Sequence, residues 1–378
     1  MARHMVTLLA LVGLFGATTH ARPPSARDYL KNDPAWFKSD EGRKAMDMVL
    51  AWQVAESGGW PKNIDSTKGP VDRTIDKGNL GSFDNNATFG EMRLLARAYN
   101  ATGDERYRQA FDRALQFIFK TQYPTGGWPQ SWPLDGAYHD RITFNDDAVV
   151  NILTLLREIR DDRAMYPFVS DGDRERADKA FDKGIDCILK CQIKVNGKLT
   201  MWCAQHDEKT FAPAWARAFE PPSISGGESA GIILLLMSLP KPSPEVIASV
   251  EAAAHYYADN AVDGFRWDRA QPRGRLFVAD PSAPPMWARF YEIGTNKPIF
   301  VGRDSKISYS LWSIGKPGQP FMYNFFTDAG APVITAYPEW RKKIGLPPEE
   351  FVVKPMTPDK AASTQPVPSP TTTPQDSS

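Results

Sequence analysis

The sequence is short of several things. Of its 378 residues only 3 are cysteine, and its 45 Lys+Arg are cancelled by 45 Asp+Glu. Three cysteines exclude a disulfide-dense scaffold. Zero net charge removes any general pull toward nucleic acid or an anionic membrane surface. Beyond the N-terminus no stretch approaches the roughly 18 consecutive apolar residues of a membrane span. What is present is a 42% hydrophobic share, enough for a large core and against disorder of the whole chain. Length allows one to three domains. The 11 tryptophans are an unusual load: each needs a hydrogen-bond partner when buried and offers a stacking face when exposed.

The two ends stand apart in composition. Residues 1–21 have basic Arg3 and His4, an apolar run from Met5 to Ala17, and small Thr19 and Ala21 before a plausible cut. This pattern predicts a signal peptide, and hence a mature protein that is soluble and secreted or periplasmic, off the membrane after cleavage. Residues 355–378 are Pro, Ser and Thr with little to bury, which predicts a disordered tail. The folded part is expected over 28–354.

The middle of the chain repeats. Gln53, Gln122 and Gln192 are spaced by 69 and 70 residues, each ahead of a Gly- or Trp-containing loop. Such a period calls for a repeat architecture. Each unit starts with an amphipathic helix; Phe111, Leu115, Ile118 and Phe119 share one face of the second. Gly58–Gly59 and Gly126–Gly127 end the helix. A polar cluster then opens a strongly apolar second helix, at Asp84-Asn85, Asn145-Asp146 and Ser225. Three such hairpins predict a mainly α fold, an (α/α)3 toroid with a smaller irregular or β-containing cap. A ring would bring Asp84, Asp146 and the Ser225–Glu228 loop together; an open helical solenoid would not.

The polar residues have plain and chemical readings. Asp84, Asp146 and Asp147 can each be a helix N-cap. Converging, they repel unless a cation or proton lies between them. Oxygen-only ligands suit Ca2+; a general acid/base pair is the alternative. Arg217 and Arg289 sit in Trp-Ala-Arg-aromatic runs, and Arg303 precedes Asp304. Arginine among aromatic walls suits recognition of carboxylates on sugars, so Trp215 and Trp287 are expected to frame these cations. His206 is either structural or part of a polar loop with Lys209, a further candidate for substrate contact. Cys187, Cys191 and Cys203 allow three pairings, of which an exported chain could bridge Cys203 to either of the others.

The runs ESGGWPKNID, YPTGGWPQSWP, ITFNDDAVVNILTLL, KLTMWCAQHDEKTFAPAWARAFEPPSISGGESAGI and WARFYEIGTNKPIFVGRD closely resemble the family 10 polysaccharide lyases, which are pectate lyases. The resemblance covers about residues 45–310. It implies an (α/α)3 toroid with a second small domain and Ca2+-dependent β-elimination on polygalacturonate. It places Arg303 as the catalytic base and Arg217 and Arg289 on substrate carboxylates, with Lys209 and Asp304 as further contacts. It places Asp84, Asp146 and Asp147 at the metal. A free guanidinium keeps its proton to above about pH 12, so an arginine base needs cations around it. Departures are Ser305 where the family has Gly after Gly-Arg-Asp, and a poor match over 311–354. Two rivals remain: a different α/α-toroid enzyme such as a triterpene cyclase, and a non-catalytic pectin-binding module. A monomer is expected.

Overall fold

The structure is a computed structural model that describes residues 24–70, 80–268, 276–316, 319–320 and 323–356. The expected signal peptide and nearly all of the expected tail therefore lie outside the described residues. Backbone N–H groups of Lys354 and Met356 donate to Ala258 and Ala261, so ordered pairing runs two residues past the expected boundary of 354.

Helices dominate: α1 (Ala26–Tyr29), α2 (Asp40–Ala51), α3 (Phe89–Thr102), α4 (Glu105–Thr121), α5 (Ala148–Asp161), α6 (Asp171–Cys191), α7 (Ser229–Met237), α8 (Pro244–Asp259) and α9 (Ala331–Lys343). The described strands form two-stranded sheets only, in the loops and the C-terminal part. No described helix is long and apolar enough to cross a membrane.

The packing unit is out of phase with the sequence repeat. The sequence pairs α4 with α5 across a long Gly-rich loop. The structure instead packs α3 on α4, α5 on α6 and α7 on α8, across short connections. Gly103, left-handed at φ 71°, closes the first of these; Ser170 and Ser243 cap the helices that open after the other two. α3, α5 and α7 touch in one layer, α4, α6 and α8 in another. The first layer is the apolar one: in α7 all but Gly231 and Leu234 are buried.

The 69- and 70-residue spacing has a physical cause. Gln53 Nε2 donates to Gly58 O and to Ala110 O on α4. Gln122 does the same to Gly126 O and Ala180 O on α6, and Gln192 to Thr200 O and Ser249 O on α8. Each glutamine thus clamps its own loop to the next helix of the outer layer. Tryptophan supplies a second clamp. The buried indoles of Trp60, Trp128 and Trp202 donate to Val49 O, Ile118 O and Ile188 O of the helix just left. Trp287 donates likewise to Tyr257 O of α8, so α8 and α9 repeat the pattern a fourth time. Trp287 is therefore a buried anchor and does not frame Arg289 as the sequence suggested.

The cysteines are three buried free thiols. Cys187 and Cys191 lie close enough for one thiol to hydrogen-bond the other. The bridge to Cys203 open at the sequence level is not formed.

Glu91, at the start of α3, is buried, and its Oε2 has no hydrogen-bond partner. Burial pushes its carboxyl up to about 7. A folded-state value raised from 4.5 gives stability that is complete below pH 4.5 and lost as pH rises through 7, about 3 kcal/mol in all. Glu91→Gln should accordingly raise the melting temperature at pH 8 far more than at pH 4.5. Equal shifts at the two pH values would contradict this.

Candidate active site

The acids come from two loops that share one backbone turn. Asp84–Asn86 and Asn145–Asp147 are both single 3-10 turns just before α3 and α5. In each, the second and third residues are left-handed: Asn85 at φ 52° and Asn86 at 67°, Asp146 at 51° and Asp147 at 57°. Asn and Asp tolerate that region better than other side-chain-bearing residues. By backbone, then, Asp84 matches Asn145 and Asp146 matches Asn85. The two carboxylates come from unlike positions of like turns. None of these acids caps a helix, since the starts of α3 and α5 have no side-chain cap. The start of α7 has no side-chain cap either; Ser225 Oγ instead closes the turn ahead of it, accepting from Gly227 N at 3.1 Å and Glu228 N at 3.2 Å.

The carboxyls of Asp84 and Asp146 lie within hydrogen-bonding reach of each other. Asp84 is buried, and Lys62 Nζ sits 2.8 Å from its Oδ2. Burial opposes its charge, but Lys62 holds the carboxyl below its usual range. Asp146 is open to solvent, so the pair lies at the surface and not in the core. Partial desolvation, then Asp84, push the Asp146 carboxyl up to about 6. Asp84 Oδ1 is buried with no hydrogen-bond partner. An orphaned carboxylate oxygen next to a second carboxylate is a fitting place for a hard cation. Among the described residues no three His, Cys, Asp or Glu gather as metal ligands. Asp147 stands elsewhere: its Oδ1 lies over Gly231 of α7, where even a Cβ would come within 2.1 Å.

The arginines arrive from the far side of the chain. Arg289 Nη2 meets Glu228 Oε1 at 2.5 Å and Asn145 Oδ1 at 3.2 Å. Burial works against its charge, and Glu228 more than restores it. Ser225 Oγ donates to the other Glu228 oxygen. The third loop therefore joins the first two, as a ring predicts. Arg217 is held by both oxygens of buried Glu220, its Nε 2.8 Å from Oε2; that hydrogen bond raises the guanidinium and keeps it charged. Arg303 is exposed in the turn between paired strands Phe300–Val301 and Ile307–Ser308. The rings beneath these cations are not the expected tryptophans. Arg217 and Arg303 lie 4.8 and 5.4 Å from the Phe219 centroid, and Arg289 5.2 Å from that of Tyr323. Trp215 remains exposed. Tyr138 joins the two groups, for its phenol feels Arg217 and Glu220 as well as Lys62 and Asp84.

The remaining expectations divide. His206 is structural: fully buried, it accepts Cys203 N–H at Nε2 and bonds Phe211 O through Nδ1. Burial lowers its imidazole to about 4. Lys209 is exposed in a turn built on Asp207, which Arg141 ties down together with Glu208. Asp304 Oδ1 accepts Lys306 N–H at 3.3 Å and so shapes the turn that carries Arg303. Lys62, Glu220, Glu228, Phe219 and Tyr323 were not singled out as site side chains. Phe219 and Glu220 had a local signal, two and three residues after Arg217. Tyr323 had none. A groove of about 1000 Å³ between the end of α6 and the start of α8 is lined by Lys190, Lys194 and Phe211, and by none of these site residues.

The profile of the pectic acid lyase family matches residues 53–331. The chain belongs to that family. Two solved structures of a family 10 polysaccharide lyase from Cellvibrio cellulosa resemble this pectate lyase at 34% identity and TM-score 0.72. One, a mutant in complex with trigalacturonic acid, covers 85% of this chain and 97% of its own. The other covers 86% and 99%. No curated protein sequence matches it. The match of this pectate lyase to its family runs on past the motifs to residue 331 and so takes in Tyr323, while residues 332–354 lie beyond it.

Proposed function

We propose that this pectate lyase is an exported, Ca2+-dependent enzyme that cleaves the α-1,4 links of polygalacturonate by β-elimination. The observation that carries the reading is the set of three arginines over two touching rings, beside a carboxylate pair with an orphaned oxygen. The complex of the Cellvibrio lyase with trigalacturonic acid supports the substrate class. The packed pairs α3–α4, α5–α6 and α7–α8 support an (α/α)3 toroid as the frame.

The chemistry assigns roles to these residues. Arg217 and Arg289 bind uronate carboxylates by paired N–H donors. Arg303 takes the C5 proton, and the electron pair forms a C4=C5 bond as the C4–oxygen bond breaks. The oxygen leaves with its electrons and takes a proton from solvent, to which Arg303 later gives up the C5 proton, leaving a 4,5-unsaturated end. As the C5 proton leaves, charge builds on the substrate carboxylate, where fixed guanidinium donors act most strongly. Asp84 and Asp146 would hold Ca2+, which supplies positive charge for that same carboxylate. With two carboxylates from the chain, substrate and water must complete its oxygen shell. Lys209, Asp147 and Asp304 are second to these residues.

Incubation with polygalacturonate, with Ca2+ or with chelator, tests the proposal by the absorbance of unsaturated uronates. A Ca2+-dependent rise is expected. No rise from protein shown to be folded would end it.

A further inference from the structure

Tyr323 lies where the arginines meet. Its ring carries Arg289 on its face, at 5.2 Å. The same ring meets Phe219 edge-on, centroids 5.1 Å apart, and Phe219 carries Arg217 and Arg303. Its hydroxyl donates 2.8 Å to Glu220 Oε1, and Glu220 holds Arg217 with both oxygens. Phe290 stacks behind the ring at 6.0 Å, nearly parallel, and fixes its plane. One side chain thus touches Arg289 directly, Arg217 through one carboxylate, and Arg303 through one ring.

We propose that Tyr323, acting with Glu220, is a positioning residue that sets the distance between Arg217 and Arg289, and so the spacing of the two uronate carboxylates they bind. This rests on the lyase reading above. An arginine left to itself has many rotamers to lose on binding. Here Arg289 is pinned by Glu228, Asn145 and a ring, and Arg217 by Glu220 and a ring. Tyr323 is the ring in the Arg289 set, and it contacts both partners of Arg217, Glu220 and Phe219; it comes from a segment with no motif of its own. Burial pushes its phenol well up, so the hydroxyl stays a donor at any working pH.

The test separates ring from hydroxyl. Tyr323→Phe keeps the platform under Arg289 and frees Glu220. It should raise KM on polygalacturonate about 3–10-fold with kcat nearly unchanged. Tyr323→Leu removes the platform and should lower kcat as well. Glu220→Gln should mimic Tyr323→Phe, and the double variant should cost little more than either, because both break one network. A purely structural tyrosine would lower the melting temperature without that split. Unchanged KM in Tyr323→Phe, or additive costs, would overturn the proposal. If the wild type makes no unsaturated product, the lyase reading fails by itself. The crystal structure of Tyr323→Phe then decides: a displaced Arg217 guanidinium supports the positioning role, and an unmoved one refutes it.

Discussion

Arg303→Ala should lower turnover of polygalacturonate by about 10²–10⁴-fold, the range expected when a general base is removed. Binding of an oligogalacturonate should stay within a few-fold. The placement of Arg303 makes this a clean experiment. It projects from an exposed turn, one residue before Asp304 closes that turn onto Lys306 N–H, and Arg303→Ala removes its contact with the Phe219 ring but no buried charge. Arg217 and Arg289 remain to hold carboxylates. Single-turnover rates with calorimetric binding would check it. Loss of binding at unchanged turnover per bound chain would move Arg303 from base to substrate clamp.

Glu228→Ala should be the most damaging substitution at the site. Glu228 is buried, and it takes Arg289 on one oxygen and Ser225 on the other. Removing it leaves a largely buried guanidinium with its Nε already lacking a partner. Breaking a buried pair from one side costs about 3–5 kcal/mol. Chemical denaturation should show that loss, and KM should rise with it. Glu228→Gln keeps an acceptor for Arg289 and should recover part of both. A fall in stability below about 1 kcal/mol for the alanine variant would mean that Arg289 finds another partner.

The sequence made the repeat legible because its period is written in side chains that bond the backbone. Gln53, Gln122 and Gln192 mark it, and their bonds explain the count of residues between them. Its phase was hidden, since the short turns that join packed helices carry plain capping residues while the long loops carry the motifs. At the site, Arg217, Arg289, Asp84 and Asp146 converge as expected, whereas Asp147 turns to α7. The left-handed turn that separates those two aspartates leaves no mark in composition. The aromatic platforms were misassigned because Trp-Ala-Arg looks like a frame, yet Trp287 obeys the tryptophan clamp of the repeat. Lys62 and Tyr323 act over distances in the chain that no local pattern spans.

The glutamine clamps also set an order of events during synthesis. Each amide finds its second acceptor 57 or 58 residues downstream, in the following outer helix. At roughly 5–20 residues per second, a loop waits several seconds before the helix that fastens it exists. No unit can lock behind the growing end by itself. The loops that carry Asp84 and Asp146 are fastened by α4 and α6, so a chain that ends before α6 carries both acids with only the first loop clamped.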